Sequence, residues 1–352
     1  MVIGPALVVV LAAALVAGLV LVASGTRPPN HGAVPSPAAS DWAALYRPLH
    51  LPALAPGGAC PITSERTVVA GLPALPGEGP LYPYATDAAD GTAYYRPSDA
   101  GPEGVLVAWV AAPDLRGPVL VRGRRLDEPG SISFGQAQSP ELEISPYDVA
   151  TPLGTGGWVA LETDLTVVHD PGCYAYQLDG PSFSTVIVFA AHPVATLVTA
   201  LHRPLHLPML APGAACPAMG PRRVVAWVGP AIGPGPVYSV GYGPDGTLHW
   251  AGATQAGGWY YAKILWLATP QATGPILVRG RQLDGPNELR FGDGADPSPD
   301  LVLSAAATVG VSGSILGWRN FVDYTRIRAA GCYAYQVDTA TGSQVIVFAG
   351  AP

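Results

Sequence analysis

The segment LYRPLHLPALAPGGACP, residues 45–61, returns as LHRPLHLPMLAPGAACP at residues 201–217, and this repetition determines how the chain is divided. Three further pairs keep the same order in both copies: GPVLVRGRRLD and GPILVRGRQLD, GCYAYQLD and GCYAYQVD, and a shared VIVFA. Because each unit is much longer than a solenoid repeat of about 20 to 50 residues, the sequence predicts one domain present twice.

The organisation expected from this repeat has four parts. Residues 1–24 form a transmembrane anchor or signal peptide, 25–40 a Pro/Ser-rich linker, 41–193 the first β-sandwich repeat and 194–352 the second. The linker composition, rich in Pro, Ser, Gly and Ala, is typical of an extended spacer.

Residues 2–23 carry no charge, and a helix of that length spans about 30 Å, the thickness of a bilayer core. We therefore expect the membrane to be a partner through residues 2–23, with the rest of the chain extracytoplasmic and single-pass anchored. A signal peptide cleaved after Ser24, leaving a secreted protein, is the alternative.

Composition favours an all-β fold. Hydrophobic residues make up 49% of the 352 and charged residues 12%, with 43 Gly and 39 Pro, which suits short strands and tight turns. We predict two tandem sandwiches of an elaborated, immunoglobulin-like kind. The Pro-Asp-Gly in YGPDGTL, residues 242–248, predicts a hairpin. The late cysteine strand followed by VIVF resembles the last hairpin of an immunoglobulin-like sandwich.

Four cysteines lie far apart, without the spacing of a zinc site, and indicate disulfides in an oxidising compartment. Each copy has one early and one late cysteine. Pairing within each copy, Cys60 with Cys173 and Cys216 with Cys332, is the simplest connectivity, and pairing across copies stays open. We expect no metal and no cofactor.

The paired strings RPLHLP, LVRGRxLD and GCYAYQ, with VIVF closing each unit, resemble those of a set of uncharacterised exported proteins from GC-rich bacteria. The resemblance covers both repeats from about Leu45 to the C-terminus. It implies the duplicated, exported architecture and no particular activity.

Two groups of residues are candidates for ligand binding. Arg122 and Arg124, repeated as Arg279 and Arg281, alternate along predicted strands, so two guanidinium groups on one face could hold an anion. The alternative is a solvated strand face in which these arginines pair with Asp127 and Asp284.

Trp259 and Tyr261 in GGWYYAKILW form the second candidate group. Exposed, their rings could stack on a glycan, whereas buried rings would fill the core between the sheets. In CYAYQ the tyrosines occupy one face and Cys, Ala and Gln the other, and the sequence leaves open which face is buried.

No catalytic motif is present. His50 and His206 lack a partner at ligand spacing, so we expect ordinary packed or surface histidines. The net charge of −7 and the scattered arginines argue against nucleic acid. The predicted function is a non-enzymatic surface module that binds a protein or an envelope component or serves as a stalk. The alternatives are a carbohydrate- or anion-binding protein, or an enzyme with a site between the repeats at Arg279, Arg281 and His206.

Overall fold

The computed structural model describes residues 37–55, 57–85, 87–95, 104–146, 151–224, 228–250, 257–304 and 318–352. The predicted anchor and most of the predicted linker lie outside this range. Among the described residues, no helix is long and apolar enough to cross a membrane. Residues 36–352 belong to one unit.

The strands of the first copy, called repeat 1 below, follow a short helix. The elements are α1 (Ala39–Ala43), β1 (Glu65–Arg66), β2 (Leu75–Pro76), β3 (Leu81–Ala85), β4 (Ala88–Ala89), β5 (Thr92–Tyr95), β6 (Gly104–Ala111), β7 (Val119–Arg125), β8 (Ser133–Phe134), β9 (Glu141–Ile144), β10 (Thr151–Pro152), β11 (Val159–Val167), β12 (Gly172–Gly180) and β13 (Phe183–Pro193).

A second helix leads from β13 into the second copy, repeat 2. The elements are α2 (Val194–Leu201), β14 (Ala231–Ile232), β15 (Val237–Val240), β16 (Thr247–His249), β17 (Tyr260–Ala268), β18 (Ile276–Gln282), β19 (Arg290–Phe291), β20 (Leu301–Leu303), β21 (Arg319–Ile327), β22 (Gly331–Thr339) and β23 (Gly342–Ala351).

Each repeat contains two larger sheets. In repeat 1 the strand orders are β10-β11-β6-β3, with β8 on β11, and β4-β5-β13-β12-β7-β9. In repeat 2 they are β14-β15-β17-β21-β19 and β16-β23-β22-β18-β20. We call the sheet that holds the GCYAYQ strand the cysteine sheet and its partner the opposite sheet.

The core of each repeat lies between its two sheets. In repeat 1, Val107 and Trp109 of the opposite sheet share a buried cluster with Val121, Tyr174 and Tyr176 of the cysteine sheet. Repeat 2 has its own cluster, built in the same way. Burial of one face of each sheet against the other stabilises both. The predicted all-β sandwich architecture is therefore confirmed.

The predicted hairpin at residues 242–248 is wrong. Gly246 does adopt a positive φ of 78° in a turn, but β15 before it pairs with β17 and β16 after it pairs with β23. β16 and β23 run parallel to each other. Within one sheet, a tight turn can join only antiparallel neighbours. The turn therefore connects the two sheets.

The glycine in LVRGR is required by strand packing. A Cβ at Gly123 would lie 2.3 Å from the Ala175 carbonyl oxygen, and a Cβ at Gly280 would lie 2.2 Å from that of Ala334. No real Cβ comes so close to a backbone atom, so this position admits no side chain in either repeat.

Candidate functional site

The repeated RPLHLP segment covers the outer face of the cysteine sheet. In repeat 1, Leu51, Leu54 and Cys60 pack against Ala175 and Val188 of that face. A disulfide joins Cys60 to Cys173, and in repeat 2 another joins Cys216 to Cys332, which confirms the pairing within each copy. Both faces of the CYAYQ strands are thus buried, with the tyrosines in the sandwich core and the cysteines under the segment.

A glutamine holds this segment in place. The side-chain carbonyl of Gln177 accepts a hydrogen bond from the His50 backbone N–H at 2.7 Å, and its amide donates to the Pro48 carbonyl at 3.0 Å. Gln336 makes the same pair of bonds to His206 and Pro204. The glutamine side chain thereby supplies hydrogen-bond partners for backbone groups of this extended segment.

The predicted ligand arginines divide into two kinds. Arg122 donates to Asp179, which is fully buried, at 2.9 Å, and Arg279 makes the same contact with Asp338. Each also donates to the carbonyl of the arginine in RPLHLP, at 2.5 Å. These two side chains fasten the segment, whereas Arg124 and Arg281 are exposed.

The predicted aromatic residues lie on another surface. Trp259 is only 8% exposed, with the Arg328 guanidinium 4.0 Å from its ring centroid, while Tyr261 is 39% exposed beside the Tyr324 ring. Because β17 and β18 belong to different sheets, the structure does not bring Tyr261 together with Arg279 or Arg281. A row of two exposed rings is therefore not present.

A buried ion pair joins the repeats. The Arg319 Nη1 of repeat 2 donates to the Asp87 Oδ1 of repeat 1 at 3.2 Å, and both side chains are almost completely buried. Arg319 also donates to the carbonyls of Ala272 and, at 2.8 Å, Gly274. Burial lowers the pKa of the Arg319 guanidinium, and Asp87 opposes that shift. The pair attaches β21 of repeat 2 to the loop that follows β3.

Beside this ion pair lies a cavity of about 330 Å³, which we call the junction cavity. Most of its lining belongs to repeat 1, and the remainder belongs to repeat 2, namely Thr269, Pro270, Ala272, Thr273 and Arg319. Apolar and aromatic side chains line most of it, namely Ala93, Val105, Val107, Tyr176, Ile187 and Phe189. Burial raises the pKa of the Tyr176 hydroxyl, so this group stays neutral. Neither Arg279, Arg281 nor His206 lines the cavity.

Polar side chains line this cavity in two places. Glu65 and Asp90 are exposed at its rim, and the Glu65 Oε1 accepts a hydrogen bond from the Gly91 N–H at 3.1 Å. The surrounding apolar wall raises the pKa of the Glu65 carboxyl, and the negative charge of Asp90 adds to the rise. On the repeat 2 wall, Thr269 is 8% exposed.

In repeat 2 a larger buried side chain stands at the position of Ala93. The parallel strand pairs place Ala93 opposite Ala191 in repeat 1 and Leu248 opposite Gly350 in repeat 2, so Ala93 and Leu248 are counterparts. Leu248 is fully buried in its core, where Tyr242 packs at 5.6 Å from the Phe348 ring. The counterpart of Phe348 in repeat 1 is Phe189, which lines the junction cavity.

Asp87, Arg319 and the cavity residues were not predicted from the sequence. One signal was available, because DGTA at residues 90–93 aligns with DGTL at 245–248, a change from a large to a small core side chain. Among the described residues, no group of three or more His, Cys, Asp or Glu side chains could hold a metal ion.

Comparison with known proteins gives no family. No family model and no curated protein matches the chain. Among solved structures, a titin immunoglobulin tandem is 11% identical, with a TM-score of 0.17, over 74% of this chain and 89% of that chain. A chimeric titin Z1Z2 is also 11% identical, with a TM-score of 0.15 over 73% of this chain and 97% of that one.

A serine-rich repeat adhesion glycoprotein from Streptococcus agalactiae is 7% identical, with a TM-score of 0.16, over 76% of this chain and 94% of that chain. At these TM-scores the likeness assigns neither a family nor a function.

Proposed function

We propose that this protein is a non-enzymatic, extracytoplasmic binding protein whose ligand site is the junction cavity. The observation that carries the proposal is a cavity of about 330 Å³ with mainly apolar walls, a size and lining typical of small-molecule sites.

Two further features support the proposal. The disulfides indicate an oxidising, extracytoplasmic compartment. The buried Arg319–Asp87 pair holds the two walls of the cavity together, so the site exists before a ligand arrives. Membrane attachment through residues 2–23 and the immunoglobulin-like character of the sandwiches are part of this proposal.

The test uses the difference between the repeats. Ala93→Leu introduces into repeat 1 the residue that repeat 2 carries as Leu248, so the new side chain occupies the cavity. We expect the neutral apolar fluorophore Nile red to gain emission with the full chain and to lose at least tenfold in affinity for A93L. Ala137→Leu, at an exposed turn position, is the matched control and retains wild-type binding. Absence of dye binding to the wild type, or equal binding to A93L, contradicts the proposal.

A second candidate function is binding of an acidic glycan on the outer face of the opposite sheet of repeat 2. There Lys263, which is exposed, pairs with Tyr324 next to Tyr261, whereas repeat 1 has Leu106 paired with Leu165. Cations beside aromatic rings suit acidic sugars. Lys263→Ala with Tyr261→Ala should then abolish retention on polygalacturonate and leave Nile red binding unchanged. Retention unchanged by these substitutions excludes this candidate.

A further inference from the structure

We propose that the Asp170–Pro171 peptide bond is a self-cleavage site, at which the chain hydrolyses in mild acid with the Tyr174 hydroxyl stabilising the reacting carbonyl. The bond lies in the turn between β11 and β12 of repeat 1. The inference is independent of the proposed function, because none of these three residues lines the junction cavity.

The chemistry of an Asp-Pro bond suits this reaction. The aspartate carboxylate can attack its own main-chain carbonyl carbon, because both groups belong to one residue and the ring that forms has five members. The bond to proline is a tertiary amide, whose nitrogen accepts a proton and leaves as a secondary amine. Nucleophile and leaving group are therefore both present in the chain itself.

The reaction consumes one water molecule. Attack of the carboxylate oxygen forms a cyclic anhydride at Asp170, and the carbon–nitrogen bond breaks as the Pro171 nitrogen takes a proton from solvent. Water then opens the anhydride, which leaves Asp170 with a main-chain and a side-chain carboxyl group and Pro171 with a free amine. The net change is hydrolysis of one peptide bond, and acid promotes it by protonating the leaving nitrogen.

The Tyr174 hydroxyl is placed to assist this step. It donates a hydrogen bond at 2.7 Å to the Asp170 carbonyl oxygen, the atom that gains negative charge when the carboxylate attacks. The tyrosine side chain is buried in the core, and burial raises the pKa of its hydroxyl, so the donor keeps its proton. Because the core fixes this donor, it is in position before the reaction begins.

The Asp170 carboxylate is accessible and able to rotate. Its side chain is 69% exposed, and the basic group that faces it is Arg125, whose Nη1 lies 3.7 Å from the carboxylate. Arg125 also donates to the Pro171 carbonyl at 2.9 Å, which holds the chain on the far side of the bond. The other titratable groups around this turn are Asp127, Glu128, His169 and Tyr174.

The chain contains two natural comparisons. In repeat 2, Tyr333 donates to the Ala329 carbonyl at 2.7 Å, but Ala330 stands at the position of Pro171, so the hydroxyl is present without the reactive bond. The second Asp-Pro bond, Asp296–Pro297, has the reactive pair, but no described residue donates to the Asp296 carbonyl. Only repeat 1 combines both features among the described residues.

The two parts of the chain stay joined after cleavage. Cys60 precedes the bond and Cys173 follows it, and the disulfide between them connects the fragments. β12 of the second fragment also remains paired with β7 of the first. The product is therefore a folded repeat 1 with one interrupted connection between its two sheets.

The experiment incubates the full chain at about pH 4 and about pH 7 and follows both Asp-Pro bonds by mass spectrometry with and without reduction. After reduction we expect fragments 1–170 and 171–352, formed faster at the lower pH, and a single species without reduction. In the folded protein, cleavage after Asp170 should be about tenfold or more faster than cleavage after Asp296. Circular dichroism at each pH checks that the chain is folded.

Substitutions separate the roles of the two residues. Tyr174→Phe keeps the buried ring and removes the donor, so it should slow cleavage after Asp170 about tenfold. Tyr333→Phe removes the same hydrogen bond from repeat 2 and is the matched control, with an unchanged rate after Asp170. Asp170→Ala introduces the residue that repeat 2 carries as Ala329 and should abolish cleavage at this bond.

The remaining outcomes contradict the inference. Equal rates after Asp170 and Asp296 in the folded protein overturn it, as does an unchanged rate in Y174F or a chain that stays intact at both pH values. In guanidinium chloride the tyrosine loses its contact with the carbonyl, and the two bonds should be cleaved at equal rates. A preference for Asp170 that persists there would belong to the local sequence and would refute the role of the fold.

Discussion

Asp87 and Tyr242 occupy the same position in the two repeats, three residues before an Asp-Gly-Thr turn, and their side chains have different partners. Asp87 pairs with Arg319 of the other repeat, whereas Tyr242 is partly buried and packs against its own core, with its hydroxyl 2.8 Å from that of Ser239. Tyr242 also lies against Phe348, whose counterpart Phe189 faces the cavity. The divergence of one position thus joins the repeats and helps to leave the cavity open.

Removal of Arg319 should destabilise the junction. In Arg319→Met the buried Asp87 loses its counter-charge, and we expect a loss of about 3–5 kcal/mol in the free energy of unfolding, measured by urea denaturation. Arg319→Met with Asp87→Leu should recover most of that loss, because neither charge remains buried. Arg116→Met, at an exposed arginine bonded to nearby carbonyls, should change stability by less than about 1 kcal/mol. Equal effects of R319M and R116M would show that the pair has no role in stability.

Asp179 should be required for the attachment of the RPLHLP segment. It accepts from Arg122 at 2.9 Å, Ser184 at 2.6 Å and Gln177 at 2.9 Å, and it is fully buried. Asp179→Asn keeps the shape but leaves Arg122 without a charge partner, so we expect a loss of about 3 kcal/mol by urea denaturation. Asp114→Asn, at an exposed turn, is the control, and a similar small effect of both variants would refute this role.

Each disulfide should stabilise its own repeat. Closing a loop of more than 100 residues restricts the unfolded chain by about 4–5 kcal/mol in the chain-entropy model. Cys60→Ala with Cys173→Ala should lower the unfolding temperature of repeat 1 in calorimetry. Thiol titration of that unfolded variant should find no free thiol, because the Cys216–Cys332 bond persists. A free thiol would mean that the cysteines pair differently.

Stability should depend on the ionisation of Glu65. Its folded-state pKa is raised, chiefly because the cavity wall partly desolvates the carboxyl and also because of Asp90, so the folded state binds the proton more tightly than the unfolded state does. The contribution of Glu65 to stability is therefore greatest below the ordinary glutamate pKa and is lost as pH rises through the raised value. Glu65→Gln should abolish this decrease in thermal denaturation followed from pH 4 upwards. An equally steep decrease in E65Q would contradict the role of Glu65.

Much of the fold could be predicted from the sequence. The repeated strings identified two copies of one unit, and one early and one late cysteine per copy favoured the observed pairing. Alternation in CYAYQ placed the tyrosines and the cysteine on opposite faces. The PDG turn at residues 242–248 misled, because a tight turn between two strands looks the same whether they join one sheet or two.

Local sequence patterns could not predict the candidate site. Arg122 and Arg124 share a strand face, but Arg122 is partly covered by RPLHLP, a segment more than 70 residues earlier in the chain. Trp259 is covered by Arg328, which directly follows β21 and lies far away in the chain. Periodicity gives the face on which a side chain lies and contains no information about what covers that face.

The sequence by itself determined the duplication, the strand-rich composition and the cysteine arrangement, because these properties repeat or belong to local stretches of chain. Only the tertiary structure decided that Asp87 meets Arg319 and that Ala93 borders a cavity where Leu248 fills a core. The physical reason is that packing depends on residues far apart in the chain: a small side chain leaves a cavity only if nothing distant occupies the space, and a buried charge is tolerated only if its partner arrives from elsewhere.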